Sequence, residues 1–283
     1  MKKVFLNSVP KAGTNLAIKC LQLLGFKWVG SMDANYVGPT RRGVPWFKRK
    51  TDALSFGFQR AYARLADRNT GYMIGTVRPT EYRRHVVDHL CRRVKRGQFI
   101  YAHVGENPDL RQKLRSNDFS ILFVIRHPIA VTLSAMHYLI KSRRFPSDLE
   151  KKGLDERLSI MLNGYSPQEG TPGRRVYPLY DAFARVADWI ADPDVLLIRY
   201  EDLVGPKGGG SAENQFSIVE EIGRHVGLGE NAVSREVIDS IYGGTHTFRK
   251  GRIDSWREEI PQPLREDMRT RLKRFIVDWG YNE

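Results

Sequence analysis

Cysteine is nearly absent. The 283 residues contain two, Cys20 and Cys91, far apart and each set in an apolar helical pattern. That excludes a disulfide framework and a cysteine zinc site and fits a reducing compartment, so a cytoplasmic location is expected. Long hydrophobic runs are missing as well. The apolar stretch at the N-terminus is interrupted by Asn7 and Pro10, leaving it too short for a signal-peptide core or a membrane span. Acidic residues are in deficit: 32 Asp plus Glu stand against 46 Lys plus Arg, a formal net charge of +14. The chain lacks a GxGxxG dinucleotide loop, a GxxxxGK[ST] triphosphate loop and any internal repeat.

What is present is the composition of a folded protein. Hydrophobic residues make up 41% and aromatics 11%, enough for one sizeable core, and a single domain over 1–283 is expected. The basic residues gather in RRGVPWFKRK (41–50), RRHVVDHLCRRVKRG (83–97) and RKGR (249–252) rather than in a tail. An excess of this kind admits nucleic acid, acidic polysaccharide, anionic membrane or a phosphorylated small molecule as partner. Charge alone does not choose among them.

Periodicity gives the architecture. Val4 to Leu6 read as a buried strand, and the helix after Thr14 carries Ala17, Cys20, Leu21 and Leu24 on one stripe until Gly25 stops it. FSILFVIRHP (119–128) is a second strand, followed by a helix through Val131 to Ile140; DVLLIRYEDL (194–203) and Phe99 to Val104 are two more strands. Helices are expected over 81–95, 216–226 and 262–279, and loops over 38–45, 164–178 and 205–211. VGPKGGGS within the last loop has the composition of a flexible surface excursion. Strands alternating with helices indicate an α/β fold: a central, mostly parallel sheet flanked by helices on both faces.

In such a sheet, ligands sit beyond the carboxyl ends of the strands, where a loop entering a helix presents backbone N–H groups and a positive dipole end. The stretch VPKAGTN (9–15) puts a lysine, a glycine and two polar side chains on that hinge. The blander reading is a strand-to-helix turn capped by Thr14, with Lys11 solvated. Further cationic elements argue for the anion site. Arg126 closes a strand with Ser134 eight residues on, about two helical turns. Arg249, Lys250 and Gly251 form a compact cationic loop suited to a second phosphate.

Taken together, the set resembles the PAPS-dependent sulfotransferase family, which implies the P-loop-like sulfotransferase fold. The family's PKSGTTW loop appears as PKAGTNL (10–16), its strand-end arginine and later serine as Arg126 and Ser134, its RKGxxGDW motif as RKGRIDSW (249–256), and its YED segment as RYEDL (199–203). The resemblance implies a reaction: transfer of the sulfuryl group of PAPS to an acceptor hydroxyl, or less readily an amine, without a metal. It further implies that Lys11, with Ala12, Gly13, Thr14 and Asn15, holds the phosphosulfate. Arg126, Ser134, Arg249, Lys250 and Gly251 are then the 3′-phosphate residues, with Tyr200 near the adenine. The family's general base is a histidine in a KTHLP-like stretch just before the 3′-phosphate strand. QFIYAHVGENP (98–108) stands in that place and offers His103, and histidine is the side chain most often used to take a proton in such a step.

Several positions depart from the family pattern. Leu16 stands where the family has tryptophan, so adenine stacking is weaker or supplied elsewhere, with Phe248 and Tyr200 as candidates. Tyr101 replaces a lysine, His127 an aspartate, and Asp254 with Ser255 a Gly-Asp pair. The acceptor is expected to meet the segments that do not match: 27–80, with Trp28, Tyr36, Trp46, Phe47, Phe56, Phe58 and Tyr62, and the loop 142–178. The aromatics suggest a partly apolar small molecule or a sugar ring, and the basic stretch at 41–50 leaves room for an acidic glycan or a lipid headgroup. Two other readings stand beside this one. A P-loop kinase lacks the GK[ST] order and a clear magnesium carboxylate. A polyanion-binding module is permitted by charge but has no nucleic-acid-binding signature, so no nucleic acid partner is expected. Oligomeric state leaves no mark on the sequence.

Overall fold

The computed structural model describes residues 1–32, 71–169, 173–229, 232–243 and 251–281. The strands are β1 (Lys3–Ser8), β2 (Lys27–Ser31), β3 (Gly71–Ile74), β4 (Thr80–Arg83), β5 (Gln98–Ala102), β6 (Phe119–Ile125) and β7 (Val195–Arg199). Between and after them lie α1 (Thr14–Leu23), α2 (Arg84–Arg93), α3 (Pro108–Ser116), α4 (Pro128–Lys141), α5 (Leu154–Asn163), α6 (Leu179–Ala184), α7 (Ala187–Ile190), α8 (Tyr200–Leu203), α9 (Ala212–His225), α10 (Arg235–Ser240), α11 (Ser255–Glu259) and α12 (Gln262–Asp278).

Five strands form one sheet in the order β2-β5-β1-β6-β7, every pair parallel, while β3 and β4 make a separate antiparallel hairpin. The apolar run Ile121–Ile125 of β6 has its reason here, because both faces of the strand are covered. Ile121, Phe123 and Ile125 join the core beneath α3, α4, α5 and α12; Leu122 and Val124 join the core beneath α1, α9 and α10. β1 divides in the same way, Phe5 to the first and Val4 with Leu6 to the second. Trp189 closes the first core: fully buried, it lies near-parallel to the Phe123 ring and donates from Nε1 to the Gly105 carbonyl at 2.7 Å. Burial on this scale contributes about 1.5–3 kcal/mol per large apolar side chain.

Four expectations need correction. The apolar run at 194–203 leaves the sheet at Arg199, and Tyr200–Leu203 is one turn of helix, its Glu201 and Asp202 suited to the positive end of that turn. The helix placed over 81–95 begins at Arg84, since Thr80–Arg83 pairs with Gly71–Ile74. The stretch 142–178 is not all loop: α5 buries Leu158, Met161 and Leu162. Finally, VGPKGGGS is packed. Gly208 N–H bonds the Gly205 carbonyl at 3.0 Å, Ile253 N–H bonds the Gly208 carbonyl at 2.9 Å, and a Cβ on Gly208 would stand 2.6 Å from the carbonyl oxygen of Gly251. These glycines permit a close backbone approach that composition cannot distinguish from flexibility. Among the described residues no helix is long and apolar enough to cross a membrane. Tyr36, Trp46, Phe47, Phe56, Phe58, Tyr62, His246, Phe248, Arg249 and Lys250 lie outside the described residues.

Candidate functional site

Because the five strands run parallel, the residues that follow β1, β5, β6 and β7 emerge on one edge of the sheet. The register makes this concrete: Asn7 pairs with Ala102, Ser8 with Val124, and Ile125 with Arg199. The loop 9–13, His103, Arg126 and Tyr200 are therefore neighbours by topology.

The loop is tightly built. Ala12 N–H bonds the Val9 carbonyl at 3.1 Å, and Lys11 takes a left-handed backbone conformation with φ 70. Gly13, with φ 110, is the N-cap of α1, and no side chain caps that helix. The capping turn considered for Thr14 does not form: Thr14 is already inside the helix, and its Oγ1 shares a hydrogen bond with Ser8 Oγ at 2.7 Å. Gly13 is required for space as well as for φ, since a Cβ there would stand 2.6 Å from Cδ2 of Tyr200. Tyr200 is wedged in turn, 6% exposed, with the Arg126 guanidinium 4.2 Å from its ring centre. Burial pushes its phenol up to about 12.

The Lys11 amine rests 4.3 Å from the ring centre of Tyr138 on α4. Its pKa falls from 10.5 to about 8, first through burial, then through the positive charges of Arg126 and Lys141. Among the described residues none of these three cations has a carboxylate within ion-pair distance. Arg126 donates one N–H to the Arg252 carbonyl at 3.0 Å, and its Nε is buried without a hydrogen-bond partner. A buried guanidinium donor left open costs free energy unless an acceptor fills it. Ser134 lies half-buried on α4, one turn before Tyr138. Gly251, with φ 66, begins the segment whose Arg252 carbonyl receives Arg126.

His103 follows β5 and is pinned to β1. Asn7, fully buried, donates from Nδ2 to the Val104 carbonyl at 2.9 Å and accepts from Val104 N–H at 2.8 Å, extending the pairing past the last strand residue. His103 Nδ1 lies 2.9 Å from the Ser8 carbonyl and 3.0 Å from Ser8 Oγ. A carbonyl only accepts, so Nδ1 carries the proton and the basic lone pair resides on Nε2. Tyr101 stands edge-on to the imidazole at 6.2 Å and contacts Trp28, a partly exposed ring on the edge strand β2.

Behind Arg126 sits a buried carboxylate. Glu201 accepts from His127 N–H at 3.0 Å and from the Tyr281 hydroxyl at 2.8 Å. Burial pushes its pKa up, with those two hydrogen bonds opposing. His127 stacks on Trp256 at 4.7 Å, a packing role. Sequence reasoning missed Asn7, Ser8, Tyr138, Lys141 and Glu201 as parts of this edge. Tyr138 and Lys141 had a local signal, their spacings of four and seven from Ser134.

No family model matches the chain, and no curated protein matches it in sequence. Solved structures do match. A mouse sulfotransferase, SULT7A1, complexed with PAP is similar over 99% of this chain and 85% of its own, with TM-score 0.55 at 14% identity. Retinol dehydratase in a complex with retinol and PAP is similar over 99% of this chain and 83% of its own, with TM-score 0.51 at 15% identity. The chain has the fold of these proteins, the P-loop-like sulfotransferase fold.

Proposed function

We propose that the protein moves the sulfuryl group of PAPS onto a hydroxyl of a small-molecule, glycan or lipid acceptor, releasing adenosine 3′,5′-bisphosphate. The observation that carries the reading is the cation cluster of Lys11, Arg126 and Lys141 around an uncapped helix start, with the buried Nε of Arg126 lacking an acceptor. These groups fit a nucleotide that bears anionic groups at two ends.

In this reading Lys11 and the backbone of Ala12, Gly13, Thr14 and Asn15 hold the 5′ end. Arg126, Ser134, Arg249, Lys250 and Gly251 hold the 3′-phosphate, with Tyr200 supporting Arg126 from below near the adenine. PAPS, when bound, supplies an electrophilic sulfur and a phosphate leaving group. Lys11 and the loop amides stabilise negative charge on the leaving side, a preorganised electrostatic role. His103 takes the acceptor proton on Nε2, while Ser8 fixes the imidazole through Nδ1. Trp28 and Tyr101, beside His103, would form part of the acceptor wall, together with the segments 27–80 and 142–178. Two buried, unpaired thiols, each raised to about 12, suit a cytoplasmic enzyme.

Thermal-shift titration of the chain with adenosine 3′,5′-bisphosphate, ATP with magnesium, and duplex DNA tests the class. Selective stabilisation by the bisphosphate without magnesium is expected, and Lys11→Ala should abolish transfer from labelled PAPS. A response to ATP with magnesium alone would transfer the assignment to a kinase.

A further inference from the structure

The mechanism above gives α4 beyond Ser134 no contact with the nucleotide, although Lys141 belongs to the cation cluster. At about 100° per residue, Ser134, Tyr138 and Lys141 fall within roughly 60° of one another and so form one stripe along the helix. Tyr138 fixes where that stripe points. Its ring touches the Lys11 amine at 4.3 Å while 37% of the residue stays exposed, so this face borders the loop and open space, not the core. Lys141 is the last residue of α4 and is exposed. A cation there complements the carbonyl end of the helix, but the dipole alone would be served on any face.

The groups around Lys11 come from two elements: Arg126 from the end of β6, and Tyr138 and Lys141 from α4. The positive charge of Lys141 is one cause of the lowered Lys11 pKa, after burial and Arg126. Crowding like charges is unfavourable until an anion joins them. The rise of the helix separates Ser134 from Lys141 by about 10 Å, so one helix can serve the two ends of an extended bis-anion.

We propose that Lys141 is an anion-binding residue for the 5′ end of the nucleotide, and that Tyr138 is the positioning residue that holds the Lys11 amine beside it. The ligand is the phosphosulfate group, or the 5′-phosphate that remains after transfer. This deepens the donor assignment above and rests on it.

Two measurements on the full chain test the pair. First, trace acetylation against pH, read on the Lys11 peptide by mass spectrometry, needs no ligand. The wild-type midpoint is expected at about 8; Lys141→Gln moves it upward by removing a like charge, and Lys141→Arg leaves it in place. Second, calorimetry compares adenosine 5′-phosphosulfate, which lacks the 3′-phosphate, with adenosine 3′-monophosphate. Lys141→Gln should weaken the first by about fivefold and leave the second unchanged, with Lys141→Arg restoring affinity. Tyr138→Phe should retain binding of the 5′ ligand, and Tyr138→Leu should reduce it. Unchanged phosphosulfate affinity in Lys141→Gln overturns the proposal wherever the midpoint lies. Equal weakening of both nucleotides overturns it too, as the mark of a disturbed fold. If the wild-type chain binds neither nucleotide, the donor reading falls, and acetylation still shows separately whether Lys141 faces Lys11.

Discussion

Lys11 combines three unfavourable conditions: a left-handed backbone, a half-buried amine and two neighbouring cations. A side chain held in that region costs of order 1–3 kcal/mol and persists where function requires it. Lys11→Asn therefore removes the charge crowding and places a residue more tolerant of φ 70. We expect it to stabilise the chain by about 1 kcal/mol in urea denaturation while abolishing bisphosphate binding. The pH dependence follows from the same residue. A lowered folded pKa means that the ammonium is lost as pH rises through about 8, so kcat/KM should fall along an alkaline limb with its midpoint there. An unmodified rate up to pH 10 would remove Lys11 from the donor site. Lys11, Arg126, Ser134 and His103 were legible as candidates because each lies at a strand-to-helix passage or at a fixed offset from one. Asn7, Ser8 and Glu201 were not, because their partners lie 97, 95 and 74 positions away, and no local spacing records such contacts.

At the scale of elements, Glu201 ties α8 to the start of α4 and to the residue that follows α12. Its two oxygens receive the N-cap amide of α4 and the hydroxyl that follows α12, and the same N-cap residue stacks on Trp256 of α11. Arg126 sits directly before that N-cap. Tyr281→Phe removes one donor to a buried carboxylate and should cost about 1.5–3 kcal/mol. Glu201→Ala leaves both donors unpaired and should cost more, with a loss of bisphosphate affinity, whereas Glu201→Gln keeps an acceptor and should fall between. Chemical denaturation with parallel ligand titration reads both effects; intact affinity in Glu201→Ala would show that Arg126 is held by other means. The sequence pattern made β1, β6, α1 and α12 legible through periodicity, since each buries a regular stripe. It did not reveal that 200–203 turns helical, and it did not reveal that VGPKGGGS packs under the 251–253 segment, because the Gly208 carbonyl takes its partner from the distant Ile253 N–H.

Over the whole molecule, the charge of +14 sets a field as well as a site. A cationic surface raises the encounter rate of a polyanionic nucleotide, and salt screens that effect within about 10 Å at 0.1 M. The association rate of adenosine 3′,5′-bisphosphate, measured by stopped flow, should drop by about tenfold between low and physiological ionic strength. Uncharged adenosine should show no such dependence. A flat salt profile for both would confine the basic excess to solvation.

The central place of β1 has a consequence for how the molecule comes to exist. Its hydrogen-bonded neighbours are β5 and β6, with Asn7 facing Ala102 and Phe123, while β2, the next strand along the chain, lies one strand further out. During synthesis β1 thus emerges before both of the strands that flank it and waits for roughly a hundred further residues, an interval in which its edges are open to misassociation and chaperone capture. The loop 9–13 is made first and assembled late, so any premature stop before residue 98 yields a chain with the loop residues and neither of the strands that flank β1.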